Sequence, residues 1–268
     1  MKKVLAISLF LAVLPLSLFG QVRGISASKI GAYNARPLPE ATVEFEPQIA
    51  TGWSDMMWNG AGQRVNRFPL TDSVERFTSV DFRVTYGIVD GLEAGIFATG
   101  DYELLSFGIK KRILESRTAS LAFITGYNYA AGNGIISIQK RGLESHSSLP
   151  MGLAGSFRIG EKAGIDADFQ VEPPFPVGND MNKTAHYYFD VDAGYYPVKT
   201  LQLVTGFALT YGTRDFSGPR GYQLIINPGV TVETGRHFII VLAAPFCVAG
   251  KTHYCFRSLQ MALTLAFD

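Results

Sequence analysis

From about Ala41 to the C-terminus, the chain alternates apolar with polar or very small side chains in segments of roughly ten residues. The last segment is the clearest. Leu259, Met261, Leu263, Leu265 and Phe267 alternate with Ser258, Gln260, Ala262, Thr264 and Ala266. A β-strand points successive side chains to opposite faces, so each segment carries one apolar and one polar face. Two architectures accept a chain of such strands. A secreted soluble sandwich buries the apolar face, whereas a barrel in lipid turns it outward.

The opposite faces are dense in charge and amide. They offer Glu44, Glu46, Asp81, Arg83, Glu93, Lys110, Arg158, Asp166, Asp168, Asp190, Asp192 and Glu233. A closed soluble barrel cannot bury that many charges. The connections add a second signal. Short turns are expected at Val89-Asp90-Gly91, Leu114-Glu115-Ser116, Gly160-Glu161-Lys162, Pro197-Val198-Lys199 and Thr234-Gly235-Arg236. Long connections are expected from Met56 to Asp72, Ala131 to Ser148, Pro173 to Thr184, Thr213 to Gly221 and Cys247 to Cys255. Long and short alternate, with Thr99-Gly100-Asp101 the exception, as in a barrel whose tight turns share one rim. Tyr and Trp near the strand ends, Trp53, Tyr86, Tyr127, Tyr129, Tyr195, Tyr196, Tyr211 and Tyr222 among them, fit an interfacial girdle. The expected fold is all-β: a transmembrane antiparallel up-and-down barrel of about 12 strands, within a range of roughly 10–14. The segment from Phe238 to Ala244 is apolar on both faces and has no readable phase.

The first twenty residues read as a secretory signal. Lys2 and Lys3 precede an apolar run from Val4 to Phe19, which Pro15 interrupts and which is short for a spanning helix. Removing it leaves 22 basic against 23 acidic side chains, a balance that gives no reason to expect a nucleic-acid partner. The domain reading is therefore a signal peptide over 1–20, an extension or lumen plug over 21–40 and the barrel over 41–268. The 21–40 stretch lacks strand pattern and carries Arg23, Lys29 and Arg36. It is either a floppy periplasmic extension, the commoner fate of a terminus, or a segment threaded into the lumen against the acidic rows.

Tyr86-Gly-Ile-Val-Asp-Gly-Leu-Glu-Ala-Gly-Ile resembles a strand–turn–strand element of one barrel family, as do Asn227-Pro228-Gly229 with the turn Glu233-Thr234-Gly235, and Ala243-Ala244-Pro245. That family is the outer-membrane barrels similar to the MetA-pathway phenol-degradation proteins, grouped with hydrophobic-compound transporters. The resemblance implies a bacterial outer-membrane barrel that passes small, often hydrophobic solutes. The final strand, with Phe267 one residue from the end, is similar to the terminal-aromatic signal read by the barrel-assembly machinery, although Asp268 departs from it. The expected partners are thus outer-membrane lipids, that machinery and a small-molecule solute.

Three local chemistries remain open. Arg83 and Glu93 face one lumen and could pair across it. Asp166, Asp168, Asp190 and Asp192 either pair with Arg158, Lys110 and Arg83 or favour cations. Cys247 and Cys255, alone in an exported chain, are expected to form a disulfide, the competing reading being two free thiols. No hydrolase motif and no metal-ligand spacing appears, so no cofactor and no enzymatic activity are expected. His186 with Asp190 two pleats away would make an Asp–His base, against the plainer reading of a polar lining. The function read from the sequence is a channel for small solutes, hydrophobic ones among them. The alternatives are a non-transporting barrel whose loops mediate adhesion, and, further off, an outer-membrane hydrolase.

Overall fold

The computed structural model describes residues 21–27, 30–68, 73–130, 146–173, 176–177, 180–181, 185–215, 218–235 and 237–268. The expected signal peptide, Lys29 and Arg236 lie outside these residues. The polar–apolar alternation runs as twelve strands. They are β1 Val43–Trp58, β2 Glu75–Val89, β3 Leu92–Thr99, β4 Leu104–Glu115, β5 Ala119–Ala130 and β6 Met151–Ile159. Then follow β7 Ala163–Glu172, β8 His186–Val198, β9 Leu201–Asp215 and β10 Gly218–Glu233. The eleventh strand, β11, is built in two pieces, Phe238–Ala243 and Phe246–Lys251, and β12 is His253–Phe267.

Each strand pairs antiparallel with its sequence neighbour. The sheet closes where β12 meets β1, from Val43 opposite Phe267 to Trp58 opposite His253. Closure leaves no unpaired edge, a condition that lipid imposes on any sheet crossing it. Burial fixes which face points where. On β2, Asp81, Arg83 and Thr85 are buried while Val80, Phe82, Val84 and Tyr86 are exposed. On β7 and β8, Asp168, Gln170, Asp190 and Asp192 are buried while Phe169, Tyr187 and Phe189 are exposed. Polar groups inside and apolar groups outside is the inverse of a soluble sandwich and the arrangement of an outer-membrane barrel.

Two connections differ from expectation. The stretch from Thr213 to Gly221 is not a long loop: β9 runs to Asp215 and β10 starts at Gly218. Cys247 to Cys255 is not one either, because β11 continues to Lys251 and β12 begins at His253, with Thr252 at φ 57° between them. The Gly/Pro-rich stretch Gly218–Gly221 and the polar stretch Lys251–His253 both belong to strand ends. The Met56–Asp72 connection begins as strand and folds back, Arg64–Asn66 pairing with Met56–Trp58. On the first piece of β11, apolar on both faces, Val241 and Ala243 are buried and Leu242 is exposed. Pro245 has no N–H to give the ladder, so the strand breaks there. The backbone bonds Ala244 N–H to Pro228 and Ser258 N–H to Pro245 carry the sheet across the break.

Candidate functional site in the barrel lumen

The lumen is occupied. Residues 21–27 and 30–40 run through it, with Val22, Ile25, Ala32 and Ala35 fully buried. The segment touches the wall strand by strand. Asn128 Nδ2 on β5 donates to the Gln21 carbonyl at 3.1 Å, and Thr85 Oγ1 on β2 donates to the Gly24 carbonyl at 2.9 Å. Asn227 Nδ2 on β10 donates to the Ile30 carbonyl at 2.9 Å. The Gly31 and Ala32 N–H groups both donate to Asp192 Oδ2 on β8, each at 3.0 Å. Tyr33 N–H reaches Asp168 Oδ2 on β7 at 2.7 Å, and Ala35 N–H reaches Ser156 Oγ on β6 at 2.8 Å. Leu38 N–H then donates to Glu93 Oε2 on β3 at 2.6 Å. The chain thus works round the inner wall before Ala41 and Thr42 bond to Gly87 and lead into β1.

A row of glycines makes room for this path. Gly95, Gly108 and Gly126 are cross-strand partners on β3, β4 and β5, at lumen-facing positions. A Cβ on Gly108 would lie 2.1 Å from the Arg23 carbonyl oxygen, and one on Gly95 would lie 2.0 Å from that of Gly24. Gly24 itself has φ +84° and would place a Cβ 2.6 Å from the Gly95 oxygen. Backbone therefore rests on backbone, which only glycine permits. Val22, Ile25 and Tyr33 of the segment form a small apolar cluster with Ile124 and Ala154 of the wall.

The charges expected in the lumen are there, with partners that differ from the expected ones. Arg83 does not pair with Glu93. Its Nη2 meets Glu44 at 2.6 Å and Glu46 at 2.9 Å, while Nη1 donates to the Ile25 carbonyl at 3.0 Å. Thr264 Oγ1 adds a bond to Glu46 at 2.6 Å. Glu93 pairs instead with Lys110, Nζ to Oε1 3.1 Å, neither side chain having any exposed surface. In the acidic row, Asp168 and Asp192 are met by the segment's main chain. Asp168 also accepts from Gln170 Nε2 at 2.6 Å, Asp190 from Gln21 Nε2 at 2.5 Å and Asp166 from Ser156 Oγ at 2.5 Å. Arg158 is exposed at the far end of β6 instead of joining the row. Asp81 is buried, and Glu233 accepts from Tyr196 Oη at 2.7 Å, which turns Tyr196 inward and out of the expected girdle.

His186 Nδ1 lies 3.3 Å from Glu172 Oε2, not against Asp190. Among the described residues no group of three or more His, Cys, Asp or Glu side chains is arranged to hold a metal ion. Cys247 and Cys255 are buried free thiols, so the expected disulfide is not formed. Trp58 Nε1 donates to the Cys247 sulfur at 3.1 Å. Because Phe246 pairs with Arg257, the two cysteines are not direct cross-strand partners. The neutral hydrogen-bonding groups Gln170, Asn128, Asn227 and Thr85, and the glycine row, contribute as much to the site as the charges. Their signal in the sequence was glycine recurring at lumen phase on three neighbouring strands.

No protein-family model matches the chain, and no curated protein sequence matches it. Solved structures do. An outer membrane channel from Pseudomonas putida F1 aligns with a TM-score of 0.61 at 12% identity, over 87% of this chain and 98% of that one. The NanC porin aligns with 0.52 at 7% identity, over 82% and 98%. A ΔS2S3 mutant of the TodX monoaromatic hydrocarbon channel aligns with 0.50 at 9% identity, over 91% and 97%. At these identities the likeness is one of fold: the chain is an outer-membrane-type β-barrel.

Proposed function

We propose that the protein is an outer-membrane channel for small solutes, hydrophobic ones among them, held closed in this conformation by residues 21–40. One observation carries the reading. The barrel encloses a polar, charged interior whose occupant is the stretch 21–40 that leads directly into β1. A barrel meant only to present loops has no need of so elaborate an interior. The fold-level likeness to channels and porins points the same way, and so does the resemblance to hydrophobic-compound transporters in the turn motifs.

The test is planar-bilayer conductance and liposome swelling on the purified mature chain. A set of small aromatic and small polar solutes should be compared on wild type and on Gly108→Val, in which the segment loses its seat. The channel reading requires solute flux that rises in the variant. Absence of flux from both forms overturns it and leaves a barrel acting through its outer loops.

A further inference from the structure

We propose that the lumen wall is a receptor for extended peptide backbone, with residues 21–40 as its tethered occupant, and that the same wall binds a separate oligopeptide of small and apolar residues when that segment is out. The inference deepens the channel reading by naming an oligopeptide as a ligand of the same lumen, and it rests on that reading only for access from solution.

The contacts are of the kind that recognise a peptide unit, not a particular sequence. Asp192 accepts from two successive N–H groups, and Asp168 and Gln170 from one each, at 2.7–3.0 Å. Asn128 and Asn227 donate to carbonyls from opposite sides of the barrel. Buried carboxylate and amide groups that would each be costly unpaired are thus satisfied by main chain, and any extended peptide carries the same donors and acceptors. The glycine row adds a steric condition. It lets a strand of backbone lie flat on the wall at a distance that no side chain on either surface tolerates. A plug evolved simply to fill space would be held by interlocking side chains; this one is held chiefly by its peptide groups.

The wall also has binding capacity that the present occupant leaves unused. Asn128 Oδ1, Asn227 Oδ1 and Gln223 Oε1 are buried and, among the described residues, have no hydrogen-bond partner. Each is an acceptor facing the lumen, suited to further N–H groups. The fit sets the ligand's chemistry. Opposite Gly95 only glycine is accommodated, as Gly24 is. The pocket around Ile124 and Ala154 takes branched apolar or aromatic residues, as Val22, Ile25 and Tyr33 show.

The experiment uses the full mature chain carrying Gly24→Val, which unseats the tethered segment without altering the wall; heat-modifiable gel migration confirms the folded barrel. The probe is a fluorescent synthetic peptide of residues 21–40, read by anisotropy in detergent and by conductance in a bilayer. Saturable binding to the variant, much weaker binding to wild type, and block of the variant's conductance are expected. N-methylation at the Val22 and Tyr33 amides should weaken binding roughly tenfold or more per blocked N–H. Exchanging Arg36 of the peptide, whose Nε reaches Ser120 Oγ only at 3.5 Å, for Ala should leave binding within about tenfold. Failure of the peptide to bind the unseated barrel overturns the proposal, as does equal binding of the N-methylated form. Binding without any conductance leaves the proposal standing and removes the channel reading instead.

Discussion

Lys110 and Glu93 sit opposite one another on β4 and β3, Nζ 3.1 Å from Oε1, with neither side chain exposed, and both hold the same stretch of the N-terminal segment. Lys110 donates to the Ser26 carbonyl at 2.6 Å and to the Asn34 carbonyl at 3.1 Å. Glu93 accepts from the Ser26 N–H at 2.8 Å and from the Leu38 N–H at 2.6 Å. The pair therefore ties together two passes of the segment as well as two strands of the wall.

Removing one member should be costly. Glu93→Ala leaves a buried ammonium uncompensated, a situation that costs about 3–5 kcal/mol in buried pairs. The double variant Lys110→Met/Glu93→Leu should recover part of that loss, because no lone charge remains, but not all of it, because Ser26 and Leu38 lose their acceptor. Urea unfolding in lipid vesicles, followed by tryptophan fluorescence, measures both. A Glu93→Ala protein as stable as wild type would show that the pair contributes nothing to holding the interior together.

The glycine row gives a separate handle on the segment. Val suits a strand, so Gly108→Val should leave barrel formation intact while its side chain collides with the Arg23 carbonyl and Ile25. Limited trypsinolysis should then cut after Arg23 in the variant and spare it in wild type. Protection of Arg23 in both proteins would mean that the segment finds another seat.

The twelve-strand barrel was legible because the period-two pattern and its outward face are set by local rules that lipid enforces residue by residue. Phe107, Phe169 and Leu259 could be assigned outward from alternation alone, and all three are exposed. Pairings inside the lumen were not legible. Which of Glu44, Glu46 and Glu93 meets Arg83 depends on the register between strands and on reach into the interior, and neither leaves a trace in a single strand's pattern. The path of residues 21–40 was hidden for a related reason. Most of its bonds are made by main chain, which every sequence has, so its glycine counterparts at 95, 108 and 126 were the clearest sign of where it sits. The loop estimates erred at Thr213–Gly221 and Cys247–Cys255 because strands that outrun the membrane no longer need an apolar face.

The outer face can be probed by charge. Phe169 on β7 is 48% exposed and flanked by Leu153 and Phe189 on the neighbouring strands. Phe169→Arg should destabilise the barrel by roughly 2–4 kcal/mol if the residue lies near the bilayer midplane. The same charge at the exposed strand-end position, Ile159→Arg, should cost little. Unfolding midpoints in vesicles discriminate the two, and equal effects would contradict a lipid-facing belt centred on Phe169.

Cys247 and Cys255 are buried, with relative exposures of 8% and 5%, and Cys255 Sγ contacts the Cys247 carbonyl oxygen at 3.7 Å. Trp58 caps the Cys247 sulfur from β1 across the barrel seam. Burial of this kind slows thiol reagents without preventing reaction after unfolding. A maleimide should therefore label the folded barrel slowly and should add two groups per chain once it is denatured in the absence of reductant. Mass spectrometry counts the adducts directly. A denatured, unreduced chain that takes up no label would show the two sulfurs joined, and the corner formed by β11, β12 and Trp58 would then be clamped covalently rather than by packing. Trp58→Phe removes the indole N–H from the Cys247 sulfur while keeping most of the ring. It should speed labelling of the folded barrel, since the smaller ring leaves the Cys247 sulfur less covered. An unchanged labelling rate in Trp58→Phe would assign the protection to the strand pairing of β11 and β12 alone.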